Sequence, residues 1–110
     1  MKAKPTSTAS TYELRTKLWE WHSDKANWYF LTVPQKIADE IRLVDAGPKR
    51  VGFGSLKVQA TIGGTSWSTS IFPSAEHKTY VLPVKASVRK AEDLVVDKMV
   101  NLKLEVKRAW

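Results

Sequence analysis

FGSLKVQATIGGTSWSTSIF, residues 53–72, carries two alternating segments on either side of Gly63-Gly64. A two-glycine connection tolerates positive φ at both central positions, which suits a tight hairpin. The strands are then Phe53–Ile62 and Thr65–Phe72. That register sets Ala60 opposite Trp67, Val58 opposite Thr69 and Leu56 opposite Ile71. It also sets Thr61 opposite Ser66, Gln59 opposite Ser68 and Lys57 opposite Ser70. The first set is mostly apolar and the second wholly polar. A slip of one residue would mix them, so the pattern specifies its own register. Gly52 and Gly54 mark a bend or bulge where the first strand begins.

The segments outside this hairpin repeat the same period. Tyr12–Trp19 places Tyr12, Leu14, Thr16 and Leu18 on one face and Glu13, Arg15 and Lys17 on the other. Trp19 and Trp21 continue the charged face. A polar loop, His22–Asn27, leads to Trp28–Val33, which is aromatic and β-branched on both faces and reads as a buried strand. Trp28 is therefore expected in the core with Trp67. Pro34 suits a helix start. Ile37, Ala38, Ile41 and Val44 share one side, which predicts an amphipathic helix over about Gln35–Asp45, ended by Gly47-Pro48.

Pro73–Lys78 reads as a loop and Thr79–Val84 as a strand, with Pro83 at an edge or bulge. Ala86–Leu94 reads as a short helix with Val88 and Ala91 inward. Met99–Val106 alternates again. Six strands with two helical connectors predict a mainly β fold, a small closed barrel.

At 110 residues, the chain is long enough for one domain with its own core. The expected organisation is a flexible tail over 1–10 and one barrel over 11–110. The absence of cysteine excludes disulfides, thiolate metal sites and cysteine nucleophiles. No apolar run approaches the ~18 residues of a membrane helix, and MKAKPTSTAS has no apolar core of a secretory signal. A cytoplasmic protein with no membrane partner is the expectation. The net charge of +7 is spread along the chain, with nine Lys/Arg and six Asp/Glu in residues 1–50 and nine and five in 51–110. Such a charge suits an anionic ligand, protein or nucleic acid, and is equally ordinary for a domain without such a partner.

RVGFGSLKVQATIGG, WSTSIFP and YVLPVKASVRKAEDL occur in that order, with LWEW and WYFLTVP ahead of them. Together they resemble the small prokaryotic family known as domain of unknown function nineteen-oh-five. The resemblance covers nearly the whole chain and implies a six-stranded Greek-key β-barrel. It also implies occurrence alone or fused ahead of a bacteriocin-protection (YdeI/OmpD-associated) domain, and it brings no biochemical activity. LVVDKMVNLKLEV is more weakly similar to swapped-hairpin (AbrB-like) barrels, in which a Gly-Asp turn precedes a strand. Val96 stands where that pattern has glycine, so the turn must differ here and the group's DNA binding is not carried over.

Catalytic motifs are sparse. No serine sits in a G-x-S-x-G turn, and Ser66, Ser68 and Ser70 alternate as the solvent side of a strand does. His22 and His77 are the only imidazoles; His22 with Asp24 cannot complete a metal site alone. No metal or cofactor is implied.

The remaining candidates bind rather than react. Trp19 and Trp21 read either as cover for a small second core or as an aromatic rim for a ligand or base. Lys85 and Arg89 lie four residues apart on one face of the second helix, a spacing that can hold a phosphate or carboxylate. They can equally pair with Glu92, Asp93 or Asp97 in a network locking the connector, and the nearness of those acids favours this structural reading. The sequence thus points to a non-catalytic binding module with Lys57, Ser70, Lys85, Arg89, Trp19 and Trp21 as ligand-binding candidates. A nucleic-acid-binding barrel, and a carrier or enzyme using the barrel mouth, are the alternatives. The latter requires at least two of His22, Asp24, Arg89, Trp21 and Ser70 to converge in a pocket.

Overall fold

The computed structural model describes residues 9–45, 54–76 and 78–107. The expectations for residues 1–8, Gly47-Pro48, Gly52, Phe53, His77 and Trp110 lie outside the described residues. The elements in chain order are β1 (Ala9–His22), β2 (Asn27–Thr32), α1 (Gln35–Val44), β3 (Leu56–Ile62), β4 (Thr65–Ser74), β5 (Thr79–Pro83), α2 (Ala86–Ala91) and β6 (Met99–Lys107). The strands close into a barrel in the order β1-β2-β5-β4-β3-β6, and every pairing is antiparallel. Consecutive β3, β4 and β5 with β6 returning beside β3 form a Greek key.

The central hairpin has the register that its polarity dictates: Leu56↔Ile71, Val58↔Thr69 and Ala60↔Trp67 inside, Lys57↔Ser70 and Gln59↔Ser68 outside. Only Gly63 has positive φ (58°), so the turn follows the type II′ pattern, which needs glycine at its first central position, rather than type I′. A Cβ at Gly63 would collide with the Glu92 carboxylate, which also accepts a 2.6 Å hydrogen bond from Thr65 Oγ1. The hairpin turn is thereby clamped to the segment after α2.

Alternation fills the interior. Leu14, Leu18, Leu31, Val58, Ala60, Ile71, Leu82, Leu102, Leu104 and Val106 form one buried cluster with Trp67 and Tyr80. Because β2 and β5 are antiparallel neighbours, their C-terminal ends lie at opposite ends of the barrel. α1 follows β2 and α2 follows β5, so the helices stand at opposite ends. α1 buries Ala38 and Ile41, and α2 buries Val88, with Leu94 and Val96 packed behind it.

α1 ends at Asp45, a fully buried carboxylate. It accepts hydrogen bonds from Ser10 Oγ and Tyr12 Oη, both at 2.7 Å. Burial first, then this hydrogen bond and the carboxylate's charge, push the Tyr12 hydroxyl well above the usual tyrosine range. Ala9 and Ser10, expected in the tail, belong instead to β1, where Ser10 is tied to Asp45 and pairs with Val106.

Pro73 requires a further correction. β4 continues through Pro73 to Ser74, where a loop was expected. Pro73 is opposite Tyr80, whose carbonyl accepts from Val33 N–H on the other side. Pro73 thus occupies a position facing away from β5, where a missing N–H loses nothing. Pro83 behaves likewise. Val84 N–H bonds Tyr29 O, so the Pro83 nitrogen faces β4, whose pairing with β5 has already stopped at Phe72↔Val81.

The second helix is shorter than expected, Ala86–Ala91, and closes with a Schellman motif. Leu94 N–H bonds Arg89 O at 2.9 Å and Asp93 N–H reaches Lys90 O at 3.4 Å. Asp93 takes the left-handed position (φ 52°) that glycine usually occupies. The turn before β6 has its positive φ at Asp97 (74°), whose N–H bonds Leu18 O. Val96 is therefore not required to adopt the unusual angle, and the aspartate after it adopts it instead.

Two stability changes follow from these contacts. Asp45→Ala strands the buried Tyr12 hydroxyl and is expected to lower unfolding free energy by about 2–3 kcal/mol in chemical denaturation. Asp93→Gly removes left-handed strain at an exposed position and is expected to raise it by about 0.5–1 kcal/mol in the same measurement.

Candidate functional site

β1 and β2 outrun the barrel wall. Their ladder continues from Leu18↔Leu31 through Glu20↔Tyr29 to His22↔Asn27. Ser23 closes the tip, with its Oγ donating to Ala26 O and accepting from the N–H groups of Lys25 and Ala26. Residues two apart share a face. Glu20 and Tyr29 therefore continue the inward face of Leu18 and Leu31, while Trp19, Trp21, Trp28 and Phe30 lie outside.

On the inward face, the projecting hairpin, β4 and the β5–α2 junction enclose a cleft of about 360 Å³. It opens where β4 and β5 part beyond Phe72↔Val81. Its lining includes Asn27, Tyr29, Trp67, Thr69, Lys85 and Arg89. Among the described residues of the lining, two are cations and none is a carboxylate.

Arg89 is half-buried, with its guanidinium carbon 3.6 Å from the centroid of the Tyr29 ring. Its Nε donates to Val84 O at 3.2 Å. These contacts fix the plane of the group and leave the terminal nitrogens for other acceptors. Among the described residues, no carboxylate lies within ion-pair distance of Arg89 or Lys85. The network expected with Glu92, Asp93 and Asp97 does not form. Glu92 is held at the hairpin turn, Asp93 ends α2, and Asp97 turns the chain into β6.

Behind the arginine, Glu20 faces Tyr29 across the β1–β2 ladder. The Glu20 carboxylate acting on the hydroxyl is the largest cause of a raised Tyr29 pKa, partial desolvation adds to it, and Arg89 opposes both. Glu20 in turn lies 3.4 Å from His22 Nε2, and His22 Nδ1 is 3.1 Å from Asn27 Oδ1. His22 and Asp24 are exposed at the hairpin, and no cluster of three potential metal ligands occurs among the described residues.

The outer face carries the other four candidates. Trp19 is opposite Phe30, Phe30 opposite Pro83, and Lys57 opposite Ser70. Extending the Phe72↔Val81 register by two residues sets Pro83 beside Ser70 across the opened ladder. Trp19, Phe30, Pro83, Ser70 and Lys57 thus form one row around five strands. Trp19 Nε1 donates to Thr32 Oγ1 at 2.7 Å, and its ring lies 5.0 Å from Phe30. Trp28 is a correction: it is 52% exposed and not core. Its pairing with Trp21 puts it on the outer face beyond the barrel, stacked on Phe30 at 6.4 Å and 12°. Trp67 is buried as expected and lines the cleft.

A shallow apolar depression on this outer face is lined by Trp21, Trp28, Phe30, Phe72 and Pro83. Trp28 and Pro83 also line the cationic cleft, so the two sites touch. Lys57 and Ser70 do not reach the cleft. Sequence reading overlooked Tyr29, Glu20 and Asn27. Pairing WEWH with NWYF across the four-residue SDKA loop would have brought them together.

The chain matches the family described as domain of unknown function DUF1905 over residues 15–104. It belongs to the DUF1905 family. The matched stretch runs from β1 to β6 and contains the whole cleft and the outer aromatic row. A search of curated proteins found no match. The family description assigns a fold-sized unit and no reaction, so the DUF1905 cleft has to be interpreted from its own geometry.

The Tyr29 contacts predict opposite responses to two substitutions. Glu20→Gln is expected to move Tyr29 ionisation down toward the ordinary value, and Arg89→Ala to move it further up. A ring-carbon NMR titration of tyrosine checks both directions.

Proposed function

We propose that this domain is a non-catalytic binding module whose cleft receives an anionic group of a partner. The observation that carries this reading is Arg89, pinned on the Tyr29 ring and on Val84 O in a cleft that holds Lys85 and, among the described residues, no carboxylate. Orienting the arginine before binding reduces the ordering needed when an anion arrives. Trp67 and Tyr29 add aromatic surface to the lining beside that contact.

A reaction at the barrel mouth draws less support. Of His22, Asp24, Arg89, Trp21 and Ser70, the cleft lining includes Arg89 alone. The barrel interior is filled by its own side chains.

Titration with short inorganic polyphosphate, followed by amide and side-chain NMR, tests the reading. Saturable shifts are expected at Arg89 Nε–H, Lys85 and the Trp67 indole, weakening as salt is added. Arg89→Ala should abolish them, and Tyr29→Phe, which keeps the ring, should not. Shifts scattered over surface lysines and indifferent to Arg89→Ala would remove the reading.

A further inference from the structure

We infer that the partner is single-stranded nucleic acid, laid from the cationic cleft across the outer aromatic row. This rests on the anion-binding reading above and adds a second surface to it. Half of Trp21 and of Trp28 faces solvent, at 50% and 52%, and Phe72 is 44% exposed. Singly exposed apolar residues are ordinary, but here the rings gather into one depression with Phe30 and Pro83. Trp28 lies parallel to Phe30, so its exposed face extends a stack already begun within the protein.

What suits this platform is set by what borders it. On one side, Trp28 and Pro83 are shared with the cleft holding Lys85 and Arg89. Along the row, Pro83 is followed by Ser70 and Lys57, a hydroxyl and an exposed cation. Glu76 borders Trp19 and Trp21 on the remaining side, which disfavours a polyanion there and directs it toward Lys57. Flat π-faces flanked by cations match a polymer that presents rings and regularly spaced negative charges. Unpaired bases supply the rings, and the backbone supplies the charges. A duplex hides its base faces and could use only the cations. The net charge of +7 adds a long-range attraction for the same class of partner.

The test compares two labelled strands of about a dozen nucleotides, oligothymidylate and an abasic strand of equal backbone charge, by fluorescence anisotropy at low salt. The base-bearing strand is expected to bind roughly tenfold more tightly. Trp28→Ala or Trp21→Ala should close that gap, and Trp21→Ala, whose indole does not line the cleft, should leave the abasic strand unaffected. Because both indoles are half exposed, thermal melting should show each variant folded. Arg89→Ala should weaken both strands alike. Equal binding of the two strands, with Arg89 dependence intact, overturns the nucleic-acid inference and leaves the anion-binding reading standing. So does tighter binding of a duplex or of an oligoglutamate peptide at the same residues. Failure of both strands and of polyphosphate to bind overturns both.

Discussion

The antiparallel ladder between β1 and β6, from Ala9↔Lys107 to Lys17↔Met99, joins the first strand to the last and closes the sheet. A closed sheet has no unpaired edge and divides every strand into inward and outward positions. The inward set here is almost wholly apolar. Closure also constrains the chain ends of each strand. With the interior filled, each connector has to cross an end of the barrel, and α1 and α2 bury their apolar faces there.

The functional geometry arises where that regularity fails. Pro83 has no N–H to offer β4, and the β4–β5 ladder has stopped by the time the chain reaches it. β1 and β2 extend past the opening. Their inward face, apolar inside the barrel, becomes Glu20, Tyr29, His22 and Asn27 outside it. Into that gap α2 projects Arg89. There an aromatic face and a backbone carbonyl hold the guanidinium in place. The same opening sets Trp28 and Pro83 at a corner shared by inner cleft and outer platform.

Two substitutions of function between neighbours show how local rules bend to the fold. Asp93 and Asp97 hold left-handed conformations that glycine would hold with less strain. At Asp93 the helix end is secured by the Schellman hydrogen bonds and by Leu94 against the core. At Asp97 the backbone is held by Leu18 O. Glu92, which by sequence spacing suits a partner for Arg89, is drawn instead to Thr65 and the Gly63 turn. Residues a turn apart in sequence are thus separated by contacts made across the barrel.

The sequence by itself determined the strands, the hairpin register and both helices. Polarity alternating with a period of two, or repeating at helical spacing, is a local consequence of where water is. It also marked Lys57, Ser70, Trp19, Trp21, Lys85 and Arg89 as positions whose residue types suit binding, without showing which of them meet. Only the tertiary structure decided that Trp28 faces out, that Arg89 rests on Tyr29 rather than on nearby acids, and that the candidates divide between a cleft and an outer row. Those outcomes depend on where two ladders end, and a ladder's end is set by partners distant in the chain, which no local pattern records.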